Sequence, residues 1–165
     1  MGTFGLQIAK LYDAEVTGVD TGNKLKMMKS IGFDHLIDYK KKDFTKNGEC
    51  YDLILDAKTN RSAFAYARSL KSNGKYVTVG GKPISLLKLQ ILKRLISTFS
   101  AKRLYIAILK SNKDFAYINE LFETGKIKPV IDGPYKLSQV PKAIQHFGEG
   151  KHQGKVVITV AHNSY

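Results

Sequence analysis

The chain has 165 residues, 43% of them hydrophobic, and a formal net charge of +13 at pH 7. This size suffices for one domain with a hydrophobic core, and no apolar run approaches the length of a membrane-spanning helix. The first residues lack the basic head and apolar stretch of a signal peptide. The single cysteine, Cys50, excludes an internal disulfide and a cysteine-based metal cluster, so we expect a cytoplasmic protein.

Strand and helix patterns alternate along the chain. It opens on an amphipathic helix headed by Gly2, in which Phe4, Ile8 and Leu11 share one face. Strand patterns follow at 14–20, 34–39, 51–57, 74–81, 102–109 and 154–160. Helical patterns lie at 21–32, 61–71, 89–99, 112–125 and 137–150. This alternation predicts an α/β fold with a doubly wound parallel sheet.

Three local patterns make sharper predictions. Asn60 and Ser138 are each expected to cap the helix that follows them. The succession Leu53, Ile54 and Leu55 is typical of a strand that is buried on both faces. This succession predicts that the strand at 51–57 lies inside the sheet.

Basic residues are concentrated in one stretch, since Lys82 to Lys113 contains eight Lys and Arg residues and no acidic one. Such a stretch can bind phosphates, nucleic acid or an acidic membrane, but a solvated basic face is the favoured interpretation. Within it, the helix at 89–99 collects apolar side chains on one arc, opposite Lys93 and Arg94. Packing of this arc on its own domain or at an interface is favoured over membrane or nucleic-acid contact.

Ligands of open α/β sheets bind beyond the carboxyl ends of the strands. Asp20 ends the first strand and follows Gly2 by 18 residues, close to the spacing at which an acidic residue bonds an adenosine ribose. The other strand ends carry Tyr39, Asp56, Ala57, Gly80 and Gly81. Each residue alone is as well explained by a turn or a helix cap. Their joint placement at one edge of the sheet predicts a nucleotide site.

Four segments together resemble the coenzyme-binding half of the medium-chain dehydrogenase/reductase family, and most closely its quinone-oxidoreductase-like branch. They read AEVTGVDTGNKLKMMKSIGFDHLIDYKKKDF, YDLILDA, GKYVTVGG and GKIKPVIDGPYKLSQVPKAIQHFGEGKHQGKVVITV. Family members carry an N-terminal catalytic domain, a strand and a Gly-rich loop before this region. The resemblance therefore implies that residues 1–165 form a single truncated, Rossmann-like domain that lacks its first strand, most of that loop and the catalytic domain.

The resemblance also implies a coenzyme, NAD or NADP, that binds weakly. Gly2 and Thr3 match the helix N-terminus that faces the pyrophosphate. Asp20 matches the acidic residue of NAD-preferring members, whereas Lys24 and Tyr39 match positions that contact the 2′-phosphate of NADP in quinone reductases. An acidic residue repels a 2′-phosphate and a lysine attracts it, so both coenzymes remain open.

The nicotinamide side of the site is implied by the same family pattern. Ala57 matches backbone that lines the nicotinamide, next to Asp56 at the strand end, and so do Gly80 and Gly81. The family usually has Val-Gly where this chain has Lys58-Thr59.

No catalytic set and no metal site are expected. The histidines at 35, 146, 152 and 162 lack metal-ligand spacing, with His35 expected to be structural and His146 at the surface. The branch resembled usually lacks zinc. The sequence thus predicts a coenzyme-binding fragment of an NAD(P)-dependent oxidoreductase of alcohol dehydrogenase or quinone reductase type, without turnover by itself. The alternative is a basic, non-enzymatic α/β module that binds RNA or another polyanion through 82–113.

Two partners besides the coenzyme are predicted. The strand at 102–109 is apolar on both faces, with Tyr105, Ala107 and Leu109 on one and Leu104, Ile106 and Ile108 on the other. The corresponding edge strand pairs with its twin in the resembled family, which implies a homodimer. A separate catalytic-domain chain is the second partner implied. The competing interpretation is a monomer whose edge is covered by the helix at 89–99.

Overall fold

The structure, a computed structural model, describes residues 2–108 and 113–160. Its helices are α1 (Gly2–Lys10), α2 (Gly22–Ser30), α3 (Ala63–Arg68), α4 (Pro83–Phe99), α5 (Phe115–Glu123) and α6 (Val140–Gly148), with 3₁₀ turns at Phe44–Lys46 and Leu137–Gln139. Its strands are β1 (Thr17–Asp20), β2 (His35–Asp38), β3 (Tyr51–Asp56), β4 (Leu70–Thr78), β5 (Arg103–Ile106), β6 (Ile131–Lys136) and β7 (Lys155–Thr159). The predicted alternation of strands and helices is confirmed.

The strands pair in chain order within three separate sheets. β3, β4 and β5 form a parallel sheet with β4 in the centre, where Thr78 lies opposite Asp56 on one side and Ile106 on the other. β1 pairs with β2, and β6 runs parallel to β7. The α/β, Rossmann-like fold with parallel strands is confirmed, while the described strands are hydrogen-bonded as three sheets instead of one.

The chain divides into two compact units, each described by itself. Unit 1 comprises residues 2–18, 22–36 and 116–160, and unit 2 comprises residues 19–21, 37–108 and 113–115. No helix in the described ranges is long and apolar enough to cross a membrane.

The core of unit 2 lies between the β3–β4–β5 sheet and helices α3 and α4. Its buried side chains include Ile54, Tyr66, Leu70, Tyr76, Leu89, Ile96 and Leu104. The prediction that β3 is buried on both faces is wrong, since only Ile54 is buried, whereas Leu53 is 59% exposed and Leu55 is 50% exposed. Because side chains alternate along a strand, Ile54 alone faces the helices and its two neighbours face the opposite side.

Helix α4 buries only part of its predicted apolar arc. Leu89 and Ile96 belong to the core and Leu92 packs against it, which confirms packing on the chain's own domain for this side of the helix. Ile91 and Phe99 lie 65% and 81% exposed. The apolar arc of α4 is therefore wider than the part of the helix that packs against the core.

Both predicted helix caps are wrong. Helix α3 begins two residues later than expected, and Ser62 caps it by accepting a hydrogen bond from the Ala65 amide over 3.1 Å. The reason is that the chain at Arg61 is still held outside the helix, where its amide donates to the Tyr66 hydroxyl. Ser138 lies inside the 3₁₀ turn at Leu137–Gln139, which precedes α6 and moves the helix start beyond it.

Unit 1 is built around Leu6, Met28 and Phe33. In α1 the fully buried residue is Leu6, whereas Leu11 of the predicted apolar face is 38% exposed. Gly18 in β1 is required by close packing, because a Cβ there would lie 2.6 Å from the Phe33 ring.

Candidate functional site

The carboxyl ends of β3 and β4 meet through their backbones. The Val79 amide donates to the Asp56 carbonyl oxygen over 3.0 Å, and a Cβ on Gly80 would lie 3.1 Å from the Ala57 carbonyl oxygen. Gly81 has φ of +146°, and a Cβ there would lie 2.7 Å from the Thr59 side chain. The structure thus brings the four predicted residues at these two strand ends together, and their edge consists largely of main chain.

The carboxylate of Asp56 is the centre of a hydrogen-bond network behind this edge. Its Oδ2 accepts from the Tyr66 hydroxyl over 2.7 Å, the Tyr76 hydroxyl over 2.9 Å and the Thr59 amide over 3.1 Å. Its Oδ1 accepts from the Lys58 amide over 2.8 Å. Both carboxylate oxygens are therefore engaged within the protein, and they fix the loop that follows β3.

The two tyrosines of this network are fully buried and stack with ring centroids 4.1 Å apart. Burial raises the pKa of Tyr66 to about 12, and its hydrogen bond to Asp56 adds to that effect. Burial likewise raises the pKa of Tyr76. Both hydroxyls consequently stay protonated at neutral pH and act as donors.

Thr59 adopts a backbone conformation that is unusual for a β-branched residue, with φ of +47°. Its hydroxyl donates to the Gly80 carbonyl oxygen over 2.6 Å and lies 2.6 Å from the hydroxyl of Thr78. The resemblance described above implies that related chains have glycine at this position, the residue that adopts positive φ most readily. The hydroxyl contacts hold Thr59 in a conformation that a glycine would reach without them.

Sequence reasoning placed Thr59 after this strand without predicting its hydroxyl contacts, and it missed Tyr66 and Tyr76 as parts of this edge. The two tyrosines lie 10 and 20 residues after Asp56, and no periodicity links them to it. The one available signal is the departure from Val-Gly at Lys58-Thr59.

Asp20 and Tyr39 also lie together in unit 2, where the Tyr39 amide donates to the Asp20 carbonyl oxygen over 3.1 Å. The Asp20 carboxylate accepts from the Thr21 amide over 2.7 Å, which orients it at the end of β1. The Tyr39 side chain is 46% exposed. Their neighbouring positions are established, and their contacts with a coenzyme stay predictions.

The remaining predicted residues belong to unit 1. Gly2 begins α1 with open space around its Cα, and Thr3 accepts a hydrogen bond from the Gln7 side chain on its carbonyl oxygen. Burial lowers the pKa of His152, and the charge of Lys24 lowers it further. Lys24 and His152 are therefore electrostatically coupled neighbours.

The described histidines are held by individual contacts. His35 begins β2 as expected and lies 2.7 Å from Glu15. His146 is half-buried instead of lying at the surface, and its Nε2 is 3.0 Å from Oδ2 of Asp132. The Gln153 amide donates to the Asp132 carboxylate and fixes it, and the contact with this carboxylate keeps the His146 ring half-buried. His162 lies outside the described residues.

A family model described as zinc-binding dehydrogenase matches residues 31–158. The chain belongs to the zinc-binding dehydrogenase family. It is 28% identical, over 96% of its length, to a chloroplastic quinone oxidoreductase from Triphysaria versicolor, of which it covers 49%. It is 30% identical, over 97% of its length, to a mitochondrial NAD(P)H oxidoreductase from Bos taurus, of which it covers 45%. The chain thus spans about half the length of the curated relatives it matches.

Solved structures give the same assignment. A putative alcohol dehydrogenase from Sinorhizobium meliloti superposes with a TM-score of 0.72 and 26% identity, over 95% of this chain and 47% of that one. A thermostable alcohol dehydrogenase from Pyrobaculum aerophilum superposes with a TM-score of 0.70 and 26% identity, over 96% of this chain and 46% of that one. The predicted resemblance to alcohol dehydrogenase and quinone oxidoreductase proteins is confirmed.

The family's name raises the question of zinc. In the part of the chain that the structure describes, no group of three or more His, Cys, Asp or Glu side chains is placed to hold a metal ion. Zinc sites use such nitrogen, sulfur and oxygen ligands in sets of three or four. The described residues do not fit a zinc site, and we derive no chemistry from one.

Proposed function

We propose that this chain is the coenzyme-binding domain of an NAD(P)-dependent oxidoreductase of alcohol dehydrogenase or quinone reductase type. The observation that supports it best is the backbone-lined edge where β3 and β4 end, at Asp56, Ala57, Gly80 and Gly81. Membership of the zinc-binding dehydrogenase family gives this edge its interpretation. The nicotinamide coenzyme supplies hydride transfer when it is bound.

Within this proposal the chain's own residues bind and orient the coenzyme. Ala57, Gly80 and Gly81 offer backbone groups to the nicotinamide side, and their short side chains let a flat ring approach the main chain. Asp20 accepts hydrogen bonds from the ribose, from the position that the Thr21 amide fixes. Tyr39, beside Asp20 in unit 2, is the residue through which a 2′-phosphate would be distinguished.

Unit 1 contributes Gly2, Thr3 and Lys24 to the proposed function. The amides at the start of α1 are suited to a pyrophosphate, because the first amides of a helix point along its axis toward anions. Lys24 supplies positive charge, which its effect on the pKa of His152 reflects.

We further propose that the chain has no turnover by itself and binds coenzyme no more tightly than a dissociation constant of roughly one millimolar, about 4 kcal/mol. A reaction needs a second surface that positions the substrate and excludes water.

The test is titration of the chain with NADH and with NADPH. Binding is measured by calorimetry and by the quenching of tyrosine fluorescence. Asp20→Asn should weaken the binding of NADH by about tenfold, because one hydrogen bond to a charged group is lost. It should strengthen the binding of NADPH, because the repulsion between Asp20 and the 2′-phosphate is removed. Asp52→Asn is the matched control, since Asp52 is an exposed acid paired with Lys71. Equal effects of both variants, or no saturable binding of either coenzyme, would overturn the proposal.

The second candidate function is a polyanion-binding module, and one observation favours it. From Ala57 to Lys113 the chain has 13 Lys and Arg residues and no acidic one, which matches the net charge of the whole chain. Several of these cations are engaged within unit 2, as Lys102 is with the Ala67 carbonyl oxygen at 2.7 Å. Retention on heparin with a steep salt dependence, without coenzyme binding, would favour this candidate.

A further inference from the structure

A cleft of about 260 Å³ opens in unit 2 between the loop that precedes α3 and the first half of α4. The loop side carries Arg61 and Ser62, and the α4 side carries Ser85, Lys88, Leu89 and Leu92. None of these residues belongs to the coenzyme site proposed above.

Arg61 is held in place at this cleft by several contacts. Its Nε donates to Oδ2 of Asp43 over 2.9 Å, and its backbone amide donates to the Tyr66 hydroxyl over 3.1 Å. Asp43 is itself fixed by the amide and hydroxyl of Thr45, and although burial raises the pKa of Asp43, these bonds and Arg61 bring it below its usual range. Nη1 of Arg61 also donates to the Asn60 carbonyl oxygen over 3.5 Å. A guanidinium has five N–H donors, so these contacts still leave donors on its terminal nitrogens for a ligand.

The charge balance of the cleft favours an anion. Among the residues that the structure describes, Lys88 has no carboxylate within ion-pair distance. The segment from Ala57 to Lys113 contains no acidic residue, and two carboxylates contact cleft-lining residues: Asp43 pairs with Arg61, and Asp56 accepts from the Thr59 amide. Among the described residues only Asp43 lies within ion-pair distance of the two cations, so the positive charge of Lys88 is not offset by an ion pair.

Two leucines of α4 supply the larger apolar side chains of the cleft. Leu89 is 2% exposed and Leu92 packs against the same core, so both are fixed parts of the core of unit 2. The hydroxyls of Ser62, on the loop side, and Ser85, on the α4 side, add donors. The cleft thus combines polar groups that can orient a ligand with apolar side chains that can contact its body, as small-molecule sites do.

We propose that this cleft binds the oxyanion of a small molecule, a carboxylate or a phosphate, whose apolar body lies along Leu89 and Leu92. Arg61 and Lys88 hold the oxyanion, with Ser62 and Ser85 as additional donors. In assigning this molecule to the substrate, the inference rests on the proposed function. The substrate is then a carbonyl compound, enone or quinone that carries an acidic group.

The test uses octanoate as the probe, because it combines a carboxylate with an apolar chain. Titration of the full chain by amide NMR should perturb residues 59–63 and 85–92 saturably. Lys88→Gln should weaken octanoate by about tenfold, the loss of one charge-assisted hydrogen bond. Lys93→Gln is the matched control, since it removes the same charge from another side of α4 and should change affinity less than about twofold.

Further arms keep each part of the proposal separately falsifiable. Ser85→Ala probes the cleft without disturbing the Arg61–Asp43 pair and should weaken octanoate by a few-fold. Octanol, which lacks the charge, should bind about tenfold more weakly. Equal losses in Lys88→Gln and Lys93→Gln, or absence of saturable binding, would overturn the cleft as a site.

The source of the oxyanion is distinguished by adding NADH. If NADH leaves the affinity for octanoate unchanged, the oxyanion belongs to the substrate. If NADH displaces octanoate, a coenzyme phosphate fills the cleft, and the assignment to the substrate is overturned. Octanoate binding without any NADH binding would leave the cleft standing and overturn the proposed function.

Discussion

The hydroxyl of Tyr76, in β4, donates to Oδ2 of Asp56, at the end of β3, over 2.9 Å. The Tyr66 hydroxyl donates to the same oxygen from α3, so one carboxylate ties two strands and a helix together. Because both rings are fully buried, water cannot replace either donor without entering the core. The conformation of the loop that carries Ala57, Lys58 and Thr59 therefore depends on the hydrogen bonds of this network.

Tyr76→Phe should destabilise the fold by about 2 kcal/mol, because it removes a hydrogen bond to a charged group and leaves the rest of the ring in place. Unfolding in urea measures the loss. Tyr105→Phe is the control, since Tyr105 is 46% exposed and should change stability by less than about 0.5 kcal/mol. A Tyr76→Phe protein as stable as the parent chain would show that the network contributes nothing.

The chain should unfold at a lower alkaline pH than it would if all of its tyrosines were exposed. The pKa of Tyr66 is about 12 in the folded state, against 10 when unfolded, so the unfolded chain releases its proton first. Folding stability is then complete below pH 10 and is lost as the pH rises toward 12. Unfolding followed by circular dichroism against pH should be shifted in Tyr66→Phe to higher pH, and an unchanged curve would contradict the assignment.

The sequence predicts the type and order of the elements except β6, which it misses, and it predicts the ends of the elements poorly. Met28, in the helix predicted at 21–32, lies in the core of unit 1, and that helix could be predicted because helical spacing of apolar residues is a local pattern. The caps at Asn60 and Ser138 failed because a tertiary contact, from Arg61 to Tyr66, and a 3₁₀ turn decide where those helices begin. Local patterns do not carry such information.

The candidate site shows the same division. Strand ends could be located from apolar runs, which brought Asp56 and Gly80 to one edge correctly. The stacked Tyr66 and Tyr76 were beyond sequence reasoning, because their partner lies far along the chain and tyrosine is equally common in ordinary cores. The positive φ of Thr59 could have been suspected only from the family's glycine at that position.

Ser62→Ala should destabilise the chain by about 1 kcal/mol, the usual cost of removing a helix cap that bonds an otherwise unpaired amide. Asn60→Ala tests the alternative predicted from sequence and should cost less than about 0.5 kcal/mol. Urea unfolding of both variants measures the difference. Equal losses would mean that the cap at Ser62 does not stabilise α3.

Unit 1 should weaken in mild acid because of His152. Burial lowers the pKa of this histidine below 6.5, and Lys24 lowers it further, so the folded state disfavours the charged ring. Its Nδ1 is buried without a hydrogen-bond partner among the described residues. An unfolded chain takes up the proton first, so stability is present above pH 6.5 and is lost as the pH falls below it.

His152→Phe should reduce this loss of stability in acid, because phenylalanine keeps the stack on Phe147, whose ring centroid lies 4.5 Å away, and cannot be protonated. Hydrogen exchange of β7 amides between pH 5 and 7 is the measurement that isolates unit 1. His35→Gln serves as the control, since His35 is exposed beside Glu15. An acid response that is the same in His152→Phe and the parent chain would rule His152 out as its cause.

The described part of the edge strand β5 supports the dimer predicted from the sequence. β5 pairs with β4 on one side, and the structure describes no strand on its other side. The Ala107 amide donates toward β4, to the Thr78 carbonyl oxygen, so the alternation of a strand turns the Ile106 amide toward the open side. Tyr105 and Ile108 are 46% and 83% exposed, and Leu109, the last residue of the predicted strand, lies outside the described residues.

We therefore expect the parent chain to sediment at dimer mass, because unpaired strand edges recruit a second strand and a two-fold interface closes at two copies. Ile106→Pro should abolish the dimer, since proline removes the amide that faces the open side and leaves the Ala107 bond to β4 intact. Ile106→Val keeps the amide and should remain dimeric. A parent chain that sediments as a monomer at micromolar concentration would refute the interface, and a folded Ile106→Pro dimer would place it elsewhere on the surface.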